Sequence, residues 1–155
     1  MANASPQLNI VLHQPEIPQN TGNIGRTCVA TGSKLWIVRP CGFQLDDRHI
    51  RRAGMDYWSE LDLQVVDTWA DLVQRLDGHK FYYFSRHATR AHWSAEFSNS
   101  DVLVFGSESQ GLPSTIVDKS SDAALQIPMA DDARSLNLSN AVAIATYEAL
   151  RQTST

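Results

Sequence analysis

The stretch that decides the fold is VLVFGSESQGLP at residues 102–113. Its first four residues are apolar and predict a buried strand, and a loop of glycines and small polar residues follows at once. Two more such loops come later: IPM at 127–129 follows a short apolar run, and RSLNLSN at 134–140 leads into an alanine-rich segment. In an open α/β sheet, ligands bind in the loops that follow the carboxyl ends of the strands. The sequence therefore predicts a binding site built from these late loops.

Outward from these loops, apolar runs alternate with helical segments. Strands are predicted at residues 8–13, 34–38, 63–66, 80–84, 101–105 and 124–127. Helices are predicted at residues 20–31, 46–53, 68–76, 113–119 and 138–152. Alternation of this kind predicts an α/β fold, with a mostly parallel six-stranded sheet and helices on both faces. We expect one domain over residues 1–155, with residues 1–7 as a loose tail.

Composition limits the possible functions of the 155-residue chain. Hydrophobic residues make up 43% and charged residues 19%, as in ordinary globular domains, and no run is long enough to span a bilayer. The formal charge of −4 argues against a protein that coats nucleic acid by bulk electrostatics. Neither the two cysteines nor the five histidines have metal-ligand spacing. With no signal peptide apparent, we predict a cytoplasmic protein without a membrane or metal partner.

The first polar loop leads into the first predicted helix. Asn20, Asn23 and Arg26 recur every third residue, and we expect them to share one face of that helix. Exposed amides at a helix start suit an anionic group. The alternative is that Asn20 only caps the helix and Arg26 is a surface charge. Spacing alone leaves both interpretations open.

The loop GSESQG at residues 106–111 lacks the Lys-Ser/Thr ending of a P-loop and the spacing of a dinucleotide fingerprint. It is no nucleophile elbow either, because Glu108 stands where that motif needs serine. A carboxylate here could cap a helix or anchor a neighbouring loop. In the following SLNLSN segment, helix capping is most simply assigned to Ser135 or Ser139.

Basic residues gather in one segment, at Arg48, Arg51 and Arg52, with Tyr57 and Trp58 close behind. Cationic side chains beside aromatic rings can bind RNA phosphates and stack bases. Half-buried aromatic packing is the alternative. The residues alone leave both interpretations open.

Together, the three loops resemble the SPOUT superfamily of RNA methyltransferases, in its TrmH-like 2′-O-ribose branch. NTGNIGR at 20–26 is similar to the first family motif, N-x-G-N-x-x-R, and FGSESQGL at 105–112 to the second, F-G-x-E-x-x-G-L. IPM with SLNLSNA is similar to the third. The order is right and the resemblance covers nearly the whole chain. Ser107, Gly25 and Gln110 depart mildly from the usual pattern, and the lost positive charge at Gln110 could weaken an RNA phosphate contact.

The resemblance implies a C-terminal deep trefoil knot, a homodimer with active sites near its interface, and S-adenosylmethionine as cofactor, with S-adenosylhomocysteine as product. It implies a cofactor site lined by Phe84, Gly106, Ile127, Ser135 and Leu136. The implied catalytic set is Arg26, Asn20, Glu108, Ser135 and Asn137. Arg26 would either accept the hydroxyl proton or hold an RNA phosphate and stabilise negative charge, while Glu108 would order the loops.

Two segments, PEIPQNTGN at 15–23 and RRAGMDY at 51–57, are similar to the small tRNA wobble-nucleotide methyltransferases. That similarity implies 2′-O-methylation of cytidine or modified uridine at position 34 of leucine tRNAs, with the anticodon stem-loop as partner. Arg48, Arg51, Arg52 and Tyr57 would then form the RNA-binding surface. The alternatives are a non-catalytic RNA-binding relative, or a 2′-O-methyltransferase that acts on another tRNA or rRNA site. A Rossmann oxidoreductase is a third reading, but the fingerprint after the first strand is missing.

Overall fold

The computed structural model describes residues 5–45 and 56–154, and its centre is one fully parallel sheet. The strands of the described chain are Asn9–His13 (β1), Lys34–Val38 (β2), Leu63–Val66 (β3), Phe81–Phe84 (β4), Arg90–Ala91 (β5), Val102–Phe105 (β6) and Ala124–Gln126 (β7). Their order across the sheet is β3-β2-β1-β6-β4-β7-β5. Within residues 5–45 and 56–154, three α-helices accompany them, Pro18–Thr31 (α1), Trp69–Arg75 (α2) and Leu138–Thr153 (α3). The predicted parallel α/β fold is confirmed.

Alternation along the strands divides the core into two layers. Ile10, Leu12 and their neighbours on one face pack against Ile24 of α1 and Val142 of α3. On the other face, Val11 and Val104 pack with Leu72 of α2. All five residues of β1 are buried, because this strand has a paired strand on each side and helices or loops on both faces. Such double coverage explains why the central strands are continuously apolar.

Local signals fix two of the helix ends. Gly32 adopts a left-handed conformation, with φ of 67°, and its N–H reaches back to the last carbonyls of α1. Thr68 caps α2 by accepting a hydrogen bond from the N–H of Asp71. Helix α1 begins two residues earlier than predicted because Pro18 occupies its first turn, where a missing N–H costs nothing.

Two predictions about elements are wrong. Residues 113–119 form a turn rather than a helix, with the N–H groups of Ile116 and Val117 both bonded to the carbonyl of Pro113. One such turn is too short to propagate as a helix. In the described parts of the chain the sheet also has seven strands instead of six, because Arg90–Ala91 pairs with β7 at the edge. Two residues are too few to give a periodic signal.

Three further predictions concern the basic helix, the N-terminal tail and the knot. The predicted basic helix at 46–53 lies outside the described residues. Of the predicted tail, Pro6 and Gln7 are bonded to the body of the protein: the Ser100 hydroxyl donates to the carbonyl of Pro6, and the Gln7 amide donates to Thr153. Threading of the C-terminal segment into a knot stays a prediction.

Candidate active site

A cleft of ≈ 620 Å³ opens where β4, β6 and β7 end. Its floor is apolar: the rings of Phe84 and Phe105 stack with centroids 4.7 Å apart and planes 15° from parallel. Residues 106–112 and 134–138 form polar walls around this floor. The volume lies within the usual range for sites that bind small organic molecules. A cleft is therefore present at the predicted position, at the carboxyl ends of the strands.

The carboxylate of Glu108 joins the loop after β6 to the start of α1. It accepts hydrogen bonds from the N–H of Glu16 at 2.8 Å, the N–H of Ile17 at 2.9 Å and the amide of Asn20 at 3.2 Å. The N-cap residue Ile17 has no side-chain oxygen, so α1 has no cap of its own. From 91 residues away, Glu108 instead caps the helix by accepting the N–H of the N-cap residue Ile17, and its negative charge suits a helix N-terminus.

A second carboxylate makes the reverse connection. Glu16 accepts hydrogen bonds from the N–H of Ser109 at 3.1 Å and from its hydroxyl at 2.6 Å. These two hydrogen bonds hold the pKa of Glu16 below its ordinary value, and the one from the Ser109 hydroxyl has the larger effect. The two loops are thus bonded in both directions.

Asn137 connects this pair of loops to the last helix. Its amide donates to the side-chain oxygen of Asn20 at 3.0 Å. Its own oxygen accepts from the N–H groups of Ser139 and Asn140, which makes it the N-cap of α3. The prediction that Ser135 or Ser139 caps this helix is wrong, because the Ser139 hydroxyl instead donates to the Asn137 oxygen at 2.5 Å.

Gly106 allows the loop after β6 to fold back on itself. A Cβ at this position would overlap the main chain of Gly111 and Leu112. The loop is closed by a bridge between Ser107 and Gly111, and Gly111 has a φ of +67°. This wall of the cleft can therefore form only with glycine at position 106.

Arg26 lies outside the cleft. It lines a neighbouring concavity of ≈ 280 Å³ between α1 and α3, together with Asn23 and Tyr147. Its guanidinium lies over the Tyr57 ring, 4.9 Å from the centroid, and the Tyr57 hydroxyl donates to the carbonyl of Gly22. The prediction that Asn20 shares a face with Arg26 is wrong. Six residues at 100° each turn the helix by 600°, which puts the two side chains about 120° apart.

Comparison with known proteins identifies the family of this chain. Residues 7–147 match the SpoU rRNA Methylase family. The chain belongs to this family. Among its SpoU relatives, a tRNA (cytidine(34)-2′-O)-methyltransferase of Escherichia coli (strain K12) is 42% identical over 146 residues, covering 94% of this chain and 93% of the relative. A relative of the same name from Methylovorus glucosotrophus (strain SIP3-4) is 43% identical over 145 residues, covering 93% and 94%.

Solved structures agree with this assignment. One, described as "Structural insights into the 2-OH methylation of C/U34 on tRNA", has a TM-score of 0.87 at 44% identity and covers 94% of this chain and 95% of that one. An AdoMet-bound rRNA methyltransferase of Sinorhizobium meliloti has a TM-score of 0.83 at 25% identity and covers 98% and 59%. The resemblance to the TrmH-like branch and the prediction of a methyltransferase are confirmed, and the neighbours agree with the predicted cofactor. The oxidoreductase reading is excluded.

The structure brings together most of the predicted site residues. The cleft is lined by Asn20, Phe84, Gly106, Glu108, Ile127, Ser135, Leu136 and Asn137. Arg26 and Tyr57 lie on the adjoining α1 surface. The predicted RNA-binding residues Arg48, Arg51 and Arg52 lie outside the described residues. The roles assigned to all of these side chains stay predictions.

Sequence reasoning missed one wall of the cleft. Ser85, Arg86 and His87 line it directly after β4, and Lys119 and Arg134 also contribute. The available signal was positional, because residues 85–87 follow a predicted strand whose end should meet those of its parallel neighbours. Glu16 was also missed as a loop anchor, since its partner Ser109 is remote in sequence.

The cleft suits a ligand with one apolar face and one polar edge. Its floor offers stacked aromatic rings, and its walls offer main-chain groups and the side chains of Ser135 and Asn137. Within residues 5–45 and 56–154, no cluster of three His, Cys, Asp or Glu residues could hold a metal ion. No helix of the same residues is long and apolar enough to cross a membrane.

Proposed function

We propose that this chain methylates the ribose 2′-hydroxyl of the wobble nucleotide, position 34, in tRNA, with S-adenosylmethionine as methyl donor. The observation that carries the proposal is the chain of hydrogen bonds from Glu108 through Asn20 to Asn137, which assembles all three motif loops around one cleft. The names of the curated relatives supply position and atom. The proposed substrates are leucine tRNAs with cytidine or modified uridine at position 34, bound by the anticodon stem-loop in the cytoplasm.

The cleft would hold the cofactor through Phe84, Gly106, Ile127, Ser135 and Leu136, which all line it. When bound, S-adenosylmethionine supplies an electrophilic methyl group on a sulfonium centre. The stacked rings of the floor exclude water from that region, and the fixed loops orient the two reactants. Such positioning contributes several kcal/mol to a displacement that needs close alignment. Glu108 and Asn137 hold the loops, since their side chains are already engaged by helix termini.

Arg26 would act on the RNA. It is exposed at the surface of α1, where an incoming phosphate can reach its guanidinium. A guanidinium keeps its proton in folded proteins, so phosphate binding and stabilisation of developing oxyanion charge suit it better than proton removal. The Tyr57 ring beneath it restricts the conformations of the side chain.

We further propose that the chain forms a homodimer through the α1–α3 face. Ile144 is 41% exposed and Tyr147 is 50% exposed there, beside the small residues Ala30 and Ala143. Exposed apolar side chains beside small residues allow two helix pairs to approach closely. This arrangement would bring Arg26 of one protomer to the interface, where it could serve the cleft of the partner.

The test is ribose-methylation mapping of tRNA from cells that lack the gene, followed by reaction of that tRNA with purified protein. We expect the methyl group at nucleotide 34 to be absent in the cells and restored in vitro. Arg26→Ala should reduce kcat at least 100-fold, because a stabilising charge at the reacting centre is worth that much or more. Arg75→Ala, on the opposite side of the sheet, is the matched control and should keep wild-type turnover.

Three results would contradict the proposal in different ways. Methylation at another nucleotide would leave a SpoU enzyme with a different RNA site. Calorimetric binding of S-adenosylmethionine and S-adenosylhomocysteine without methyl transfer to any RNA would indicate the non-catalytic relative. Near-wild-type turnover of Arg26→Ala would refute the role of that residue.

A further inference from the structure

The last wall of the cleft is a loop with few attachments. Residues 131–137 are all exposed and have no regular secondary structure. Inside the loop, the N–H of Ala133 bonds to the carbonyl of Ala130. Within the part of the chain that the structure describes, two side-chain hydrogen bonds tie residues 130–137 to other residues that line the cleft. One is the Asn137 bond to Asn20, at the end of the loop. The other hydrogen bond is made to the middle of the loop, at Arg134.

That second bond comes from Arg86. One terminal nitrogen of its guanidinium, Nη1, donates to the carbonyl oxygen of Arg134 at 2.7 Å. Arg86 lies two residues after the end of β4, in a turn where the N–H of Ser85 is bonded to the carbonyl of Leu125 and the N–H of Ala88 to the carbonyl of Ser85. The guanidinium is therefore mounted on a fixed turn at the edge of the sheet.

The geometry also orients the guanidinium. Its Nε lies 3.3 Å from Nε2 of His87 and donates to it, so two sides of the planar group are engaged. An arginine can make both contacts at once because its donors point in fixed, separate directions. The short distance to the Arg134 carbonyl is typical of a charge-assisted hydrogen bond.

We propose that Arg86 is a positioning residue that fixes residues 134–136 at the cofactor cleft. The inference rests on the proposed function, since Ser135 and Leu136 are the residues next to the bonded carbonyl that would contact S-adenosylmethionine. Arg86 holds the loop in the conformation that binds. Without this bond the loop samples other conformations. The affinity for S-adenosylmethionine then falls in proportion to the fraction of molecules whose loop is in the binding conformation.

The experiment compares Arg86→Gln and Arg86→Lys with a matched control, Arg90→Gln. Arg90 lies four residues further on and also donates to a main-chain carbonyl at 2.7 Å, that of Asp122, which is outside the cleft. For Arg86→Gln we expect about a tenfold higher Kd for S-adenosylhomocysteine in calorimetry, because one charge-assisted hydrogen bond is lost. KM for S-adenosylmethionine should rise equally while kcat stays within about twofold. Arg86→Lys should recover part of the affinity.

A second readout needs no cofactor. The loop contains its own trypsin site, the bond between Arg134 and Ser135. We expect cleavage there, followed by mass spectrometry, to be about five- to tenfold faster in Arg86→Gln than in the wild type or in Arg90→Gln. Proteolysis reports how often a segment leaves its folded conformation.

The outcomes are distinguishable. Faster cleavage together with weaker binding in Arg86→Gln alone supports the proposal. Wild-type values in both measurements overturn it, and so does an equal loss of affinity in Arg90→Gln. If the wild type binds neither S-adenosylmethionine nor S-adenosylhomocysteine, the proposed function fails, and unchanged cleavage at Arg134 would overturn the role of Arg86 independently.

Discussion

Removal of the Glu108 carboxylate should destabilise the protein by a predictable amount. In Glu108→Ala the N–H groups of Glu16 and Ile17 lose their acceptor, and the amide of Asn20 loses one partner. Loss of a helix cap costs about 0.5–2 kcal/mol, and a hydrogen bond to a charged group is worth about 1.5–3 kcal/mol. Because Ile17 is 42% exposed and water can replace part of the loss, we expect about 2 kcal/mol in total.

Urea unfolding followed by circular dichroism measures this cost. With a denaturant slope of about 2 kcal/mol/M, the midpoint of Glu108→Ala should fall by about 1 M. Glu108→Gln keeps one acceptor oxygen and should lose about half as much. Glu96→Ala, at an exposed glutamate, is the control and should stay within about 0.5 kcal/mol of wild type. Protein concentration is held fixed, because dimerisation would shift the midpoint. An unchanged midpoint for Glu108→Ala would refute the capping role.

Two further predictions follow from buried groups. Gly106→Ala places a methyl group on the main chain of Gly111 and Leu112, so calorimetry should detect no S-adenosylhomocysteine binding; wild-type affinity would mean that the loop can open at no cost. Burial lowers the pKa of His13 from its ordinary value of 6.5. The unfolded chain then binds the proton more readily than the folded one. Burial of the neutral His13 ring therefore stabilises the fold fully above pH 6.5, and this stabilisation is lost as the pH falls below 6.5. NMR titration should give a His13 pKa under 6.5, and a value at or above 6.5 would contradict the burial argument.

The helix ends that were predicted correctly are set by single residues close to them in the sequence. The end of α1 at Gly32 and the start of α2 at Thr68 depend on one residue type at one position, and both could be predicted. The position of the cleft also followed, since parallel strands place their carboxyl ends at one edge.

The hydrogen bonds that could not be predicted join residues that are far apart in the sequence. Ser135, Asn137 and Ser139 are equivalent as local caps, and Asn137 is selected because Asn20 lies opposite its amide. The same holds for Glu108, whose capped helix lies about ninety residues earlier. Asn20 and Arg26 belong to one motif, yet helix rotation separates them onto two surfaces. Spacing in the sequence did not reveal which polar groups would meet.

The central position of β1 has a consequence for biosynthesis. Its partner β6 pairs Asn9 with Val102, so one edge of β1 stays open until more than ninety further residues have been added. At about 5–20 residues per second, translation leaves that edge unpaired for roughly 5–20 s. Strand β2 can pair with β1, and β3 with β2, in that interval, but the other edge of β1 keeps free backbone groups that are available to other chains. Translation speed across residues 39–101 therefore sets how long each nascent molecule is at risk of aggregation.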